Sequence, residues 1–172
     1  MEKSVSPAKY DKQYLSKRYQ NINFAGPVKL EDFEHIYRKV GSMLKLGADD
    51  KVVDMGCGVG QFSLYLYLKY ECDVTGIDYS ADALYFCRKN IEALSSRKEY
   101  SNVKEKVRFL HLENENLPDL RDVRAAFLVD ILEHLYNAEI EIILEKIKSW
   151  KEKDGIYLVI HTDNNNYLRF VR

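Results

Sequence analysis

The residues best suited to chemistry in this 172-residue chain stand together in Asp54-Met55-Gly56-Cys57-Gly58-Val59-Gly60-Gln61. Three glycines at alternate positions make a turn that other residues resist, because only glycine takes positive φ without a Cβ clash. Their missing side chains let a ligand lie against the backbone, and amides at the start of a following helix offer it donors. Asp54, two residues before the first glycine, is a good neighbour for an ammonium group and a poor one for a pyrophosphate. Lys51-Val52-Val53 reads as the end of a short buried strand, and Phe62 to Leu68 as a helix packed on it. Strand, glycine turn and helix together open a nucleotide-binding α/β fold.

A second acid follows at the spacing such a site needs. Val74-Thr75-Gly76-Ile77 reads as the next strand, with Asp78 at its C-terminal end. An acid about 20 residues beyond the glycines suits a ribose diol, since one carboxylate accepts two hydroxyl hydrogen bonds. Asp78 is also a candidate helix N-cap, although Ser80 or Asp82 can do that job. Further on, the apolar run Arg124 to Val129 reads as a central parallel strand and opens onto Asp130-Ile131-Leu132-Glu133-His134-Leu135. Loops at the C-terminal ends of strands carry the ligand in open α/β sheets, which places Asp130, Glu133 and His134 well. His134 is read either as a general base or as a core or orienting histidine.

The dinucleotide fingerprint wants Gly-x-Gly-x-x-Gly, whereas here Gln61 holds the position of its third glycine. Acid-x-Gly-x-Gly-x-Gly resembles motif I of the class I S-adenosylmethionine (SAM) dependent methyltransferases, and the Leu-Glu-His-Leu run resembles that family's segment after strand four. The resemblance covers about residues 49–163. It implies a Rossmann-like, doubly wound, mostly parallel sheet of strand order 3-2-1-4-5 in a three-layer α/β/α sandwich. It further implies that SAM binds with its methionine part on Gly56, Cys57, Gly58 and Gly60 and its amino group near Asp54. Asp78 would then hold the ribose, with Tyr79 flanking the adenine, Glu113 and Asn114 near it, and Asp130 at the cofactor edge. Leu112 and Asn114 depart from the family's usual glycine and alanine. Methyl transfer would yield S-adenosylhomocysteine (SAH), with His134 or His161 as base for an acceptor that needs one. No metal is required by anything visible.

The elements that must position these residues are read from periodicity. Tyr10, Tyr14 and Leu15 suggest a short N-terminal helix, and the resemblance suggests a lid in that segment. Phe33, Ile36, Tyr37, Val40 and Leu44 give a helix, with Glu31 or Asp32 in its first turn and Gly47 ending it. Ala83, Leu84, Cys87, Ile91 and Leu94 give another, and residues 95–106 a polar connection. Val107 to Leu112 is strand three. Ile140 to Trp150 is a helix, and Ile156 to Ile160 is strand five, with His161 opening a loop. Residues 1–47 are taken as an N-terminal helical segment and residues 48–172 as the cofactor-binding domain.

Family members usually add a final hairpin, which the sequence does not supply. Strand five would then be an exposed apolar edge, to be covered by a homo-oligomer or partner chain, or by Tyr167–Arg172, or left bare in a truncated form. A net charge of −1 lowers the weight of nucleic-acid partners and favours a small-molecule acceptor. No Asn/Asp-Pro-Pro-aromatic run and no Pro-Cys nucleophile follows strand four, against DNA-base chemistry. Three cysteines without metal-type spacing, no membrane-length apolar run and no signal-peptide core suggest a cytoplasmic protein. Two other readings stay open: a SAM- or SAH-binding module without turnover, and a nicotinamide oxidoreductase.

Overall fold

The computed structural model describes residues 11–18, 22–112, 117–151, 155–162 and 169–171. Its six-stranded sheet runs in the order β3-β2-β1-β4-β5-β6, formed by Val107–His111, Asp73–Asp78, Lys51–Met55, Ala125–Val129, Tyr157–His161 and Arg169–Val171. The first five strands are parallel and β6 is antiparallel to β5. The order reverses between β1 and β4, and the crevice at that switch point is where open α/β sheets bind ligands.

Alternation along the strands builds two apolar layers. Val52, Val74, Val107, Phe127 and Val159 face α3 (Gln61–Tyr70) and α4 (Ala81–Ser95), together with α2 (His35–Gly41). Val53, Met55, Ile77, Leu128 and Leu158 face α6 (Asn137–Ser149), whose Ile143 and Ile147 close that side. Trp150 is fully buried there, and its indole N–H donates to the Pro118 carbonyl at 2.9 Å. A buried indole needs such a partner, since an orphaned donor costs about 1–3 kcal/mol.

Several elements differ from the sequence expectation. The helix expected from Phe33 to Gly47 is instead a 3-10 turn, Leu30–Asp32, followed by the shorter α2. The Asp32 carboxylate accepts the Lys29 N–H at 2.8 Å and closes the turn, and Phe33 is extended, so the helix starts only at His35. It stops at Gly41, whose missing Cβ makes room for the Tyr65 ring. Within the expected polar connection lie a 3-10 turn, Lys98–Tyr100, and the single-turn α5, Val103–Lys106. His161 is the last residue of β5 rather than the start of a loop, because its backbone stays in register with Val129. The edge of β5 is not bare: β6 supplies one antiparallel strand in register from Leu158↔Val171 to Ile160↔Arg169.

The N-terminal helix is α1, Lys12–Arg18, and Tyr10 lies outside the described residues. No helix among the described residues is long and apolar enough to cross a membrane.

Candidate functional site at the C-terminal ends of the strands

Asp54 lies on β1 at 2% exposure, on the sheet face that carries α3. Ser63 on α3 donates its hydroxyl to Asp54 Oδ2 at 2.6 Å. The approach of Ser63 depends on Gly76, the register partner of Asp54 on β2, where an added Cβ would stand 3.0 Å from Ser63 Oγ. Burial raises the Asp54 pKa to about 7, with the charge of Asp78 adding to the rise and the Ser63 hydrogen bonds opposing it. Asp54 is therefore a buried acid that gives up its proton less readily than an ordinary aspartate.

The turn after β1 is tied down from three sides. Gly56 and Cys57 donate their N–H groups to the Ile77 carbonyl at 2.8 and 3.0 Å. A Cβ on Gly56 would meet Ile131 Cδ1 at 2.4 Å, so this glycine lets the segment after β4 rest on the turn. On α4, Cys87 Sγ lies 3.1 Å from the Gly58 carbonyl and Asn90 Nδ2 lies 3.1 Å from the Val59 carbonyl. Gly58 differs from its neighbours: its φ is +53°, yet a Cβ there would meet nothing within 4 Å. Open space stands over the turn at Gly58, as a ligand lying on the backbone requires.

Asp78 closes the opposite wall. Its Oδ2 accepts the Gly58 N–H at 2.8 Å and its Oδ1 accepts the Ser80 N–H at 2.8 Å. The N-cap of α4 is Ser80, whose Oγ accepts the Ala83 N–H at 3.2 Å, which leaves Asp78 free of that duty. Burial pushes the Asp78 pKa up, while hydrogen bonds from Ser80 and Gly58 and the nearby His111 pull it down. Tyr79 is half-buried beside it, its carbonyl 2.9 Å from His111 Nε2. Glu113 and Asn114 lie outside the described residues.

After β4, Asp130 takes φ +53° and sets its Oδ1 2.6 Å from His161 Nδ1. Leu132–His134 follows as a 3-10 turn, with His134 half-buried and Glu133 Oε2 buried without a hydrogen-bond partner among the described residues. The fold thus gathers Asp54, the glycine turn, Asp78, Asp130 and His161 at the C-terminal ends of β1, β2, β4 and β5. Among the described residues no three His, Cys, Asp or Glu side chains cluster to hold a metal. Cys57, Cys72 and Cys87 are buried free thiols.

Sequence reasoning missed Ser63, Gly76 and Asn90. Ser63 and Asn90 left a signal, since Ser63 is the one small polar residue in an apolar and aromatic helix run. Asn90 falls on the stripe of α4 otherwise filled by Cys87, Ile91 and Leu94.

Comparison with known proteins agrees with this fold. The family model described as "Methyltransferase domain" matches residues 52–155. An (S)-coclaurine N-methyltransferase from Thalictrum flavum subsp. glaucum is 35% identical over 111 residues, covering 64% of this chain and 28% of that protein. An (S)-tetrahydroprotoberberine N-methyltransferase from Eschscholzia californica is 30% identical over 118 residues, 67% of this chain and 31% of that protein. The chain thus spans about three tenths of the length of these curated relatives. A solved coclaurine N-methyltransferase bound to N-methylheliamine and SAH superposes with a TM-score of 0.62 at 18% identity, covering 93% of this chain and 48% of that one. At that identity the likeness speaks for the fold.

Proposed function

The chain belongs to the class I SAM-dependent methyltransferase family, and on that premise we propose that it transfers a methyl group from SAM to a small-molecule acceptor. The observation that carries this reading is the turn itself, where Asp54, the open space over Gly58 and the Gly58–Asp78 hydrogen bond converge on one crevice. Gly56, Cys57, Gly58 and Gly60 would receive the methionine part, Asp54 the amino group, and Asp78 with Tyr79 the ribose and adenine side. Glu113 and Asn114 are assigned to the adenine in this reading from the sequence resemblance alone. When bound, SAM supplies a methyl group on an already activated sulfonium. The protein's task is then to align the acceptor and exclude water. An acceptor nitrogen is favoured by the N-methyltransferases among the relatives, and a small molecule by the net charge of −1.

Residues 1–47 act in this reading as a lid and residues 48–172 as the cofactor-binding domain. Support comes from Leu15 of α1, which is 2% exposed and packs with Val59 of the glycine turn and Ala83 of α4. A cytoplasmic location fits the free thiols.

A thermal-shift titration with SAM, SAH and NAD on the wild type and Asp78→Ala tests the proposal. Binding at a hundredfold excess over Kd adds about 2.7 kcal/mol to the folded state, visible as a higher midpoint. A shift with SAM and SAH that Asp78→Ala makes clearly smaller supports it, and a shift with NAD alone replaces it. SAH binding without methyl transfer to any acceptor would instead make the chain a binding module.

A further inference from the structure

Asp130 and His161 join the ends of β4 and β5 through two bonds of different kinds. The Asp130 N–H donates to the His161 carbonyl at 2.9 Å, which carries the sheet ladder one residue beyond β4. Asp130 Oδ1 then stands 2.6 Å from His161 Nδ1. Asp130 reaches this position at φ +53°, a left-handed conformation that non-glycine residues adopt at a cost and that recurs at functional sites. The His161 side chain is 11% exposed and that of Asp130 is 38% exposed.

A neutral imidazole that gives its Nδ1–H to a carboxylate carries its lone pair on Nε2. The Asp130 bond is the ring's hydrogen bond among the described residues, so Nε2 is the nitrogen left for a ligand. Alternation along β5 puts His161 with Val159 on the sheet face that also carries Asp54. The pair borders the crevice, because Ile131, next to Asp130, rests on Gly56 of the cofactor turn.

We propose that His161 takes the proton from the nucleophile of an amine acceptor, with Asp130 as the positioning residue that fixes the imidazole tautomer. The inference rests on the methyltransferase reading above. An amine that arrives protonated has no lone pair to offer. Its N–H bond breaks, the electron pair stays on nitrogen to receive the methyl carbon, and the proton passes to Nε2 and on to solvent. The Asp130 carboxylate stabilises the imidazolium formed meanwhile. Before the transfer, the carboxylate and neutral imidazole together carry negative charge, which favours a cationic acceptor over an anionic one.

Long-range imidazole ¹H–¹⁵N spectra of the whole chain read the tautomer without any acceptor. The expected result at pH 8 is a protonated Nδ1 and a bare Nε2 on His161, with the Nε2–H form gaining in Asp130→Asn, since asparagine tolerates the left-handed backbone. A proton on Nε2 in the wild type, or no change in Asp130→Asn, overturns the inference. Calorimetry with SAH on the wild type and His161→Gln reads the cofactor site separately. Failure of the wild type to bind SAH would remove the methyltransferase reading, whatever the tautomer. With tetrahydroisoquinoline as acceptor probe, His161→Gln should form SAH about 100-fold more slowly and recover in part with added imidazole. Turnover by His161→Gln at the wild-type rate overturns the proposal.

Discussion

The Gly58 N–H donates to Asp78 Oδ2 at 2.8 Å, linking the turn after β1 to the C-terminal end of β2. The acid proposed to hold a ribose is therefore also the tie that fixes the glycine turn. These duties are compatible, because a carboxylate has about four lone-pair directions and the Gly58 and Ser80 amides take one on each oxygen. A Tyr79 backbone hydrogen bond also bears on this carboxyl, which leaves a direction for a ribose hydroxyl.

Asp78→Ala should lower SAH affinity about tenfold to hundredfold, since hydrogen bonds to a charged group are worth about 1.5–3 kcal/mol. Asp78→Asn should fall between, because one amide oxygen can still accept the Gly58 N–H. Calorimetric Kd values for the three proteins check the order. Equal affinity of Asp78→Ala and wild type would take Asp78 out of the site.

Gly58 and Gly60 should respond differently to alanine. A Cβ at Gly60 would stand 2.6 Å from Phe109 Cζ and 3.0 Å from Cys87 Sγ, at φ +79°. Gly60→Ala should therefore destabilise the fold by about 2 kcal/mol or more in urea. Gly58→Ala meets no neighbour and should cost about 1–2 kcal/mol from backbone strain alone, yet it fills the space over the turn. Its loss of SAH binding should exceed that of its stability. A Gly58→Ala protein with full affinity would show that no ligand lies there.

The sheet and the turn were legible because their signals are local and repeated. Two β-branched residues ran into alternate glycines, and each central strand was bounded by turn residues. Asp78 was legible through its spacing, and Ser80 as the alternative cap. What escaped depends on contacts between distant segments. Nothing near Phe33 announces that Asp32 will cap a 3-10 turn and delay the helix to His35. Tyr167–Arg172 stood only as one of several possible covers for β5, because local pattern does not choose between a partner chain and the pairing that β6 makes. The Asp130–His161 bond is invisible for the same reason, although both residues were named as candidates separately.

Leu15 ties α1 to the glycine turn through Val59 and to α4 through Ala83. If this segment covers the cofactor, Leu15→Ala should speed SAH dissociation several-fold. Burying a leucine is worth about 2–5 kcal/mol against alanine in a core, but less on a short terminal helix that opens locally. Amide hydrogen exchange should slow across Lys12–Arg18 when SAH binds to the wild type. Unchanged exchange there would make α1 a packing element only.

Asp54 makes stability and cofactor binding respond to pH in opposite directions. Its pKa is raised from the ordinary 3.8 to about 7, chiefly by burial. Between those values the folded chain keeps a proton that the unfolded chain has released. The stability this supplies is complete below about pH 4 and is lost as pH rises toward 7, by at most about 1.4 kcal/mol per unit. Asp78, raised in the same direction by burial, adds to that limb. Asp54→Asn should therefore show a shallower fall in urea midpoint between pH 4 and 7. An ammonium beside Asp54 selects the carboxylate, so binding SAH at pH 6 should release up to one proton. Calorimetry in buffers of different ionisation enthalpy measures that release. It should shrink toward zero above pH 8 and in Asp54→Asn. Proton release at pH 6 that survives in Asp54→Asn would mean that the cofactor's amino group is held elsewhere.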